Sequence, residues 1–195
     1  MLNIDFLSGK MQYRRQHASL RRELVARAMG AHPRDNPRII DATAGLGRDS
    51  FILASLGFHI TLLERSPALA SLLQEAFNAA QREPATAPII ARMNLIQTDA
   101  IVWLTALNSS DRPDIIYLDP MFPARQKSAA VKKEMLLLQA LVGQDDDAEA
   151  LFQSALTCAT RRVVVKRPRL AATIAQQTPS FSIAGDSSRF DIYLV

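Results

Sequence analysis

Residues 38–64 read RIIDATAGLGRDSFILASLGFHITLLE, and this stretch decides the fold. Arg38 to Ala42 is a short β-branched run, Arg48 to Leu56 has helical patterning that stops at Gly57, and His59 to Glu64 is strand-like again. Gly45 and Gly47 sit in the turn between the first strand and the helix, where a backbone without Cβ atoms can pass close under a ligand. Strand, glycine turn, helix and strand form a βαβ unit, the repeat from which parallel sheets are built.

Downstream the alternation continues. The pattern predicts a helix over Pro67–Arg82, a strand over Asn94–Thr98, a helix over Ala100–Leu107 and a strand over Asp114–Leu118. Helical patterns then cover Val131–Leu141 and Ala148–Ala159, and Arg161–Lys166 is a fifth strand. Phe181–Ala184 and Arg189–Leu194 are separated only by a short turn, so they pair antiparallel, because a parallel pair needs a long crossover. The expected fold is α/β: a Rossmann-like, doubly wound, seven-stranded sheet with one antiparallel edge strand.

Upstream, Ala18–Met29 reads as a helix ending at Gly30, followed by a turn through His32, Pro33, Asn36 and Pro37. That turn divides the chain into a basic extension, residues 1–37, and the α/β domain, residues 38–195. Charge follows the same division. Residues 1–38 hold eight Lys and Arg against three acids, whereas residues 39–195 hold fifteen against sixteen, so the net charge of +4 comes from the N-terminal segment. Lys10, Arg14, Arg15, Arg21, Arg22 and Arg27 are dense enough there to contact phosphates.

With 48% hydrophobic and 22% charged residues in 195, the chain can bury a core and is not a disordered polyelectrolyte. No apolar run reaches the roughly 18 to 20 residues of a membrane span, and the opening MLNIDFLSGK lacks the order of a secretory signal. The expected location is the cytoplasm. A single cysteine, Cys158, excludes an internal disulfide and a Cys-based zinc cage, and reads as a buried helical thiol. His17, His32 and His59 lack metal-ligand spacing, so no metal is expected.

In open α/β sheets ligands lie beyond the carboxyl ends of the strands. This sequence places Asp41 after the first strand, Glu64 after the second and Asp99 after the third. The dinucleotide fingerprint GxGxxG would need a third glycine where Ser50 stands. Glu64 is placed to accept ribose hydroxyls, and Asp99, followed by Ala100, to accept an adenine amino group. An anionic rim suits a sulfonium with an amino group better than a pyrophosphate, which calls for Lys, Arg or bare amides. The expected cofactor is S-adenosylmethionine, and the terminal hairpin agrees with the sheet of class I methyltransferases using it.

The fourth strand delivers Asp119-Pro120-Met121-Phe122-Pro123. An exocyclic purine amine is a poor nucleophile because its lone pair is delocalised into the ring, so it must be oriented by acceptors. Asp119 and the Pro120 carbonyl are the candidate acceptors, with Phe122 stacking on the base. Guanine N2 and adenine N6 need the same acceptors, so the chemistry leaves both open. Arg125, Lys127, Lys132 and Lys133 follow this loop, and Lys166 and Arg167 end the fifth strand; with Arg14 and Arg15 they are the candidate RNA-backbone contacts. Three other readings stand: ribose 2′-oxygen methylation using Lys10, Asp119 and Lys166, a nicotinamide-dependent oxidoreductase, and an RNA-binding protein without catalysis.

The segments DATAGLGRDS (41–50), LERS (63–66), YLDPMFPA (117–124), QKSAAVKKEML (126–136), VVVKRPR (163–169) and RFDIYL (189–194) resemble the ribosomal RNA small subunit methyltransferase J family. The resemblance implies methyl transfer from S-adenosylmethionine to a guanine N2 of 16S ribosomal RNA, with the small ribosomal subunit or an assembly intermediate as partner. It also implies that Arg48, Asp49, Glu64, Arg65, Asp99, Ala100 and Asp119 contact the cofactor. Relatives in that family carry a longer portion before the segment IDFLSGKMQYRRQH (4–17).

Overall fold

The computed structural model describes residues 2–120 and 147–195. The chain runs α1 (Gly9–His17), α2 (Leu24–Met29), β1 (Ile39–Asp41), α3 (Arg48–Ser55), β2 (Ile60–Glu64), α4 (Pro67–Gln81), α5 (Ala87–Ile90), β3 (Met93–Gln97), α6 (Ala100–Thr105) and β4 (Ile115–Leu118). After residues 121–146 come α7 (Ala148–Cys158), β5 (Arg162–Pro168), β6 (Phe181–Ala184) and β7 (Ser188–Leu194).

The seven strands lie in the order β3-β2-β1-β4-β5-β7-β6, with the first five parallel and β7 antiparallel to both of its neighbours. The terminal hairpin supplies the reversed strand, as the short turn requires. That strand, β7, slots between β5 and the outermost strand β6. The order reverses between β1 and β4, which opens a crevice beyond Asp41 and Leu118.

Strand parity sorts the core into two layers. Ile39, Leu62, Tyr117, Val164 and Ile192 face a layer built from α1 to α5, whereas Ile40, Leu63, Leu118, Val165 and Tyr193 face α6 and α7. Cys158 is buried in this second layer, its thiol against the Leu104 carbonyl at 3.7 Å.

The N-terminal segment departs from expectation. Helix occupies Leu24–Met29 only, because the chain turns at Ser19, whose carbonyl accepts the amides of Arg22 and Glu23. A second helix, Gly9–His17, carries few apolar residues and so gives no hydrophobic periodicity to read. Leu2, Ile4, Phe6, Met11, Val25 and Met29 are buried in the same core as α3 and α4, and the Phe6 ring stacks on Phe51 at 4.7 Å. Residues 2–29 are therefore part of the domain's first layer, and the expected boundary at residue 37 does not separate two cores. Helix α5 lies between the expected helix Pro67–Arg82 and strand Asn94–Thr98, where the pattern predicts no element, and it has Pro88 in its first turn, where the missing amide costs nothing.

Candidate active site

The turn after β1 is built around a buried carboxylate. Asp41 is 3% exposed; its Oδ2 accepts the Ser50 hydroxyl at 2.5 Å and its Oδ1 the Thr43 amide at 3.2 Å. Burial pushes this carboxyl up to about 7, against the opposing effect of those two donors. Ser50, where a dinucleotide fold would place its third glycine, thus anchors the loop. Asp41 is not among the residues that line the cleft; it holds the turn that carries Thr43 and Gly45, which do line it.

Gly45 and Gly47 both have positive φ, 55° and 66°. Gly45 lines the cleft. Gly47 faces inward, where a Cβ would lie 2.9 Å from Leu73 Cδ2 and 3.2 Å from Phe6 Cζ. A side chain there would press on the packing under the turn.

The cleft itself lies at the carboxyl ends of the strands. Glu64, Arg65, Asp99, Ala100, Asp119 and Pro120 line it, with Leu63, Leu69, Ile101 and Leu151 as apolar walls. Glu64 accepts the amide of Gly45 at 3.1 Å on Oε2 and that of Ser66 at 2.9 Å on Oε1, so the acid at the end of β2 is fixed against the glycine loop. Asp99 caps α6, accepting the Val102 amide at 3.0 Å. Arg65 spends its charge on Asp147 across the cleft at 2.8 Å. The donor set therefore fits S-adenosylmethionine: carboxylates stand where ribose hydroxyls and an amine need acceptors, and apolar walls suit an adenine ring.

Asp119 sits one residue beyond β4, and its amide donates to the Thr43 hydroxyl at 2.6 Å, which ties it to the glycine loop. Nothing in the residue type of Thr43 announces this bond. The Asp119 side chain keeps 40% exposure toward the cleft, while Lys166 Nζ lies 2.9 Å from its Oδ2. Burial raises the Asp119 carboxyl above its ordinary value; Lys166 offsets part of that, and the nearby Asp49 adds to it.

Asp49 takes Lys166 Nζ at 2.8 Å and the Tyr117 hydroxyl at 3.0 Å on Oδ2, and Arg14 at 2.9 Å on Oδ1. Burial works against its ionisation, but Lys166 and Arg14 outweigh it and hold the carboxyl at about 2. Asp49 is not among the residues that line the cleft. Arg48 is exposed and also lies off that lining.

Of the expected RNA contacts, Arg14 is spent on Glu23 and Asp49, and Lys166 on Asp49 and Asp119. Arg15 donates to the Ala85 carbonyl, and Arg167 is 7% exposed, with two guanidinium nitrogens on the Ala172 carbonyl. The heads of these four side chains are engaged by acceptors within the protein. Phe122, Arg125, Lys127, Lys132 and Lys133 lie outside the described residues.

The sheet order, the reversed strand and the acid-rimmed cleft at the switch point define a Rossmann-like methyltransferase that uses S-adenosylmethionine. Residues 1–195 match the family described as "Putative SAM-dependent methyltransferase". The chain is 50% identical over 193 residues to ribosomal RNA small subunit methyltransferase J of Nitrosococcus oceani, covering 99% of this chain and 76% of that protein. It is 49% identical over 192 residues to the protein of the same name from Pseudomonas aeruginosa, covering 98% and 73%. The crystal structure of a SAM-dependent methyltransferase from Neisseria gonorrhoeae superposes with a TM-score of 0.76 at 41% identity, covering 98% of this chain and 74% of that one. The chain belongs to the ribosomal RNA small subunit methyltransferase J family.

Proposed function

We propose that this enzyme methylates the exocyclic N2 of a guanine in small-subunit ribosomal RNA. The observation that carries this reading is Asp119, open to the same cleft that Glu64 and Asp99 line. The relatives' printed name supplies the RNA, and the family resemblance supplies guanine N2.

Bound in the cleft, S-adenosylmethionine supplies a methyl group already activated by its positive sulfur. Glu64 holds the ribose hydroxyls, and Asp99 accepts from the adenine amine with the oxygen that α6 does not use. Lys166 occupies Asp119 Oδ2, which leaves Oδ1 to accept a hydrogen of the guanine amine. The Pro120 carbonyl takes the other hydrogen and Phe122 stacks on the base. Two acceptors direct the nitrogen lone pair out of the ring as it becomes tetrahedral, and the ionised carboxylate takes up the proton the product amine sheds.

For RNA, the exposed side chains of the N-terminal segment are the better candidates than its inward arginines. Lys10, Tyr13, His17, Arg21 and Arg22 are exposed, and the Tyr13 and His17 rings lie 4.1 Å apart. A tilted ring pair flanked by cations suits unpaired bases and phosphates. Helix α1 lies beside the site, since its Arg14 reaches Asp49. Ala in place of Asp119 is expected to abolish transfer to the RNA while leaving cofactor affinity within about tenfold, or about 1.4 kcal/mol. Filter-binding of labelled product and calorimetric titration of cofactor measure the two; unchanged turnover overturns the mechanism.

A further inference from the structure

A carboxylate that opens to a cleft has two side-chain torsions to lose before it can present one oxygen to an amine. In this site something takes that freedom away. Strands β4 and β5 pair in parallel with Leu118 opposite Val165, so Asp119, one residue past the end of β4, stands next to Lys166, which is still within β5. The Lys166 ammonium lies 2.9 Å from Asp119 Oδ2 and 2.8 Å from Asp49 Oδ2. A lysine stem is flexible, and its head would wander if Asp119 were its only partner. Asp49 removes that freedom: it is itself fixed by Tyr117 of β4 and Arg14 of α1. Arg14 in turn is held by Glu23 at 2.8 Å. Glu23, Arg14, Asp49, Lys166 and Asp119 thus form a chain of alternating charge from the N-terminal segment to the cleft.

We propose that Lys166 and Asp49 are positioning residues for methyl transfer: the ammonium, pinned by Asp49, clamps Asp119 Oδ2 so that Oδ1 is presented to the reacting amine. The clamp rests on the reading of Asp119 as the acceptor for that amine. It gives Lys166 a role in rate, in place of the RNA-backbone contact expected from its position in a basic tract, and makes α1 part of the catalytic support.

Electrostatics gives the two residues opposite signatures. Among the described residues, the ionisable groups that interact with Asp119 are Lys166 on β5, Asp49 on α3, Tyr117 on β4 and Asp41 on β1, with Arg14 on α1 behind Asp49, and Glu64, Arg65, Asp99 and Asp147 line the same cleft. Lys166 favours the ionised form of Asp119, and Asp49 opposes it. A residue that merely braced the fold would not move the titration of Asp119 in a direction set by its own charge.

The test combines carbon NMR titration of Asp119, assigned with Asp119→Asn, and pH–rate profiles for wild type, Lys166→Met, Lys166→Arg and Asp49→Asn. Lys166→Met is expected to move both the titration and the acid limb of kcat upward by about one pH unit. It should also lower kcat about a hundredfold, the cost of an acceptor misplaced by about an ångström, with KM for the cofactor within about twofold. Asp49→Asn should move the titration downward, and Lys166→Arg should restore most of kcat. If Lys166→Met fails a cofactor-binding check of its fold, Asp49→Asn and Lys166→Arg carry the same comparison. Titrations that stay put or move in one direction, or a Lys166→Met enzyme with wild-type kcat, overturn the clamp. Opposite shifts in a protein that leaves guanine unmethylated would retain the clamp and reject the reaction assigned to it.

Discussion

Glu64 shows how much one carboxylate can do at a strand end. It is 5% exposed, and each of its oxygens accepts a backbone amide, one from the glycine loop and one from the entry to α4. It also lines the cleft, where the proposed cofactor site lies. Charged hydrogen bonds contribute about 1.5–3 kcal/mol each, so Glu64→Ala is expected to weaken S-adenosylmethionine binding by roughly 10- to 150-fold in calorimetric titration. Binding within twofold of wild type would remove Glu64 from the cofactor site. At this scale the place of Glu64, Asp99 and Asp119 on the cleft was legible from sequence because an acid at or just past the carboxyl end of a strand has few places to go. Asp49, Arg14, Lys166 and Arg167 were not. Asp49 points away from the cleft because three donors meet it below, and the long stems of the three cations let packing decide whether each head reaches RNA or an internal acceptor.

Among the elements, the parallel strands and α3, α4 and α6 were legible because apolar periodicity and glycine stops agree there. The first helix was invisible because it is anchored by polar contacts and by the apolar residues before it. Phe6, 2% exposed, packs between Phe51 at 4.7 Å and Phe77 at 5.9 Å, and it also closes over Gly47. Phe6→Ala removes a ring that joins the N-terminal segment to α3 and α4, and should cost about 3–5 kcal/mol. For a chain of this length that corresponds to a fall in Tm of roughly 6–20 °C by calorimetry. A change under about 2 °C would contradict the assignment of this segment to the core and restore the picture of an appended arm.

For the molecule as a whole, the acids under the loops set how stability varies with pH. The Asp41 carboxyl is raised in the folded chain to about 7, so the folded state holds a proton that the unfolded state releases near 3.9. Its ionisation therefore erodes stability as pH climbs from about 4 to 7, by up to roughly 4 kcal/mol. Asp49 acts oppositely: held at about 2, it adds stability above the unfolded value that is lost as pH falls toward 2. Chemical denaturation of Asp41→Asn beside wild type is expected to show a gap that widens in the variant's favour from pH 4 to 7. A gap that is constant with pH would mean that Asp41 is ionised throughout.

The fold class was legible at this scale from the alternation of strands and helices and from the hairpin's short turn. The place of the N-terminal segment was not, because composition marks it as basic while its burial depends on eight scattered apolar side chains. The central claim is a reaction on one atom of one base. Small subunits lacking the modification, incubated with the enzyme and isotopically labelled S-adenosylmethionine, give 16S ribosomal RNA whose nucleosides can be resolved by mass spectrometry. Label in N2-methylguanosine, lost with Asp119→Ala, is the expected result; label in any other nucleoside, or none while the cofactor is bound, would contradict it.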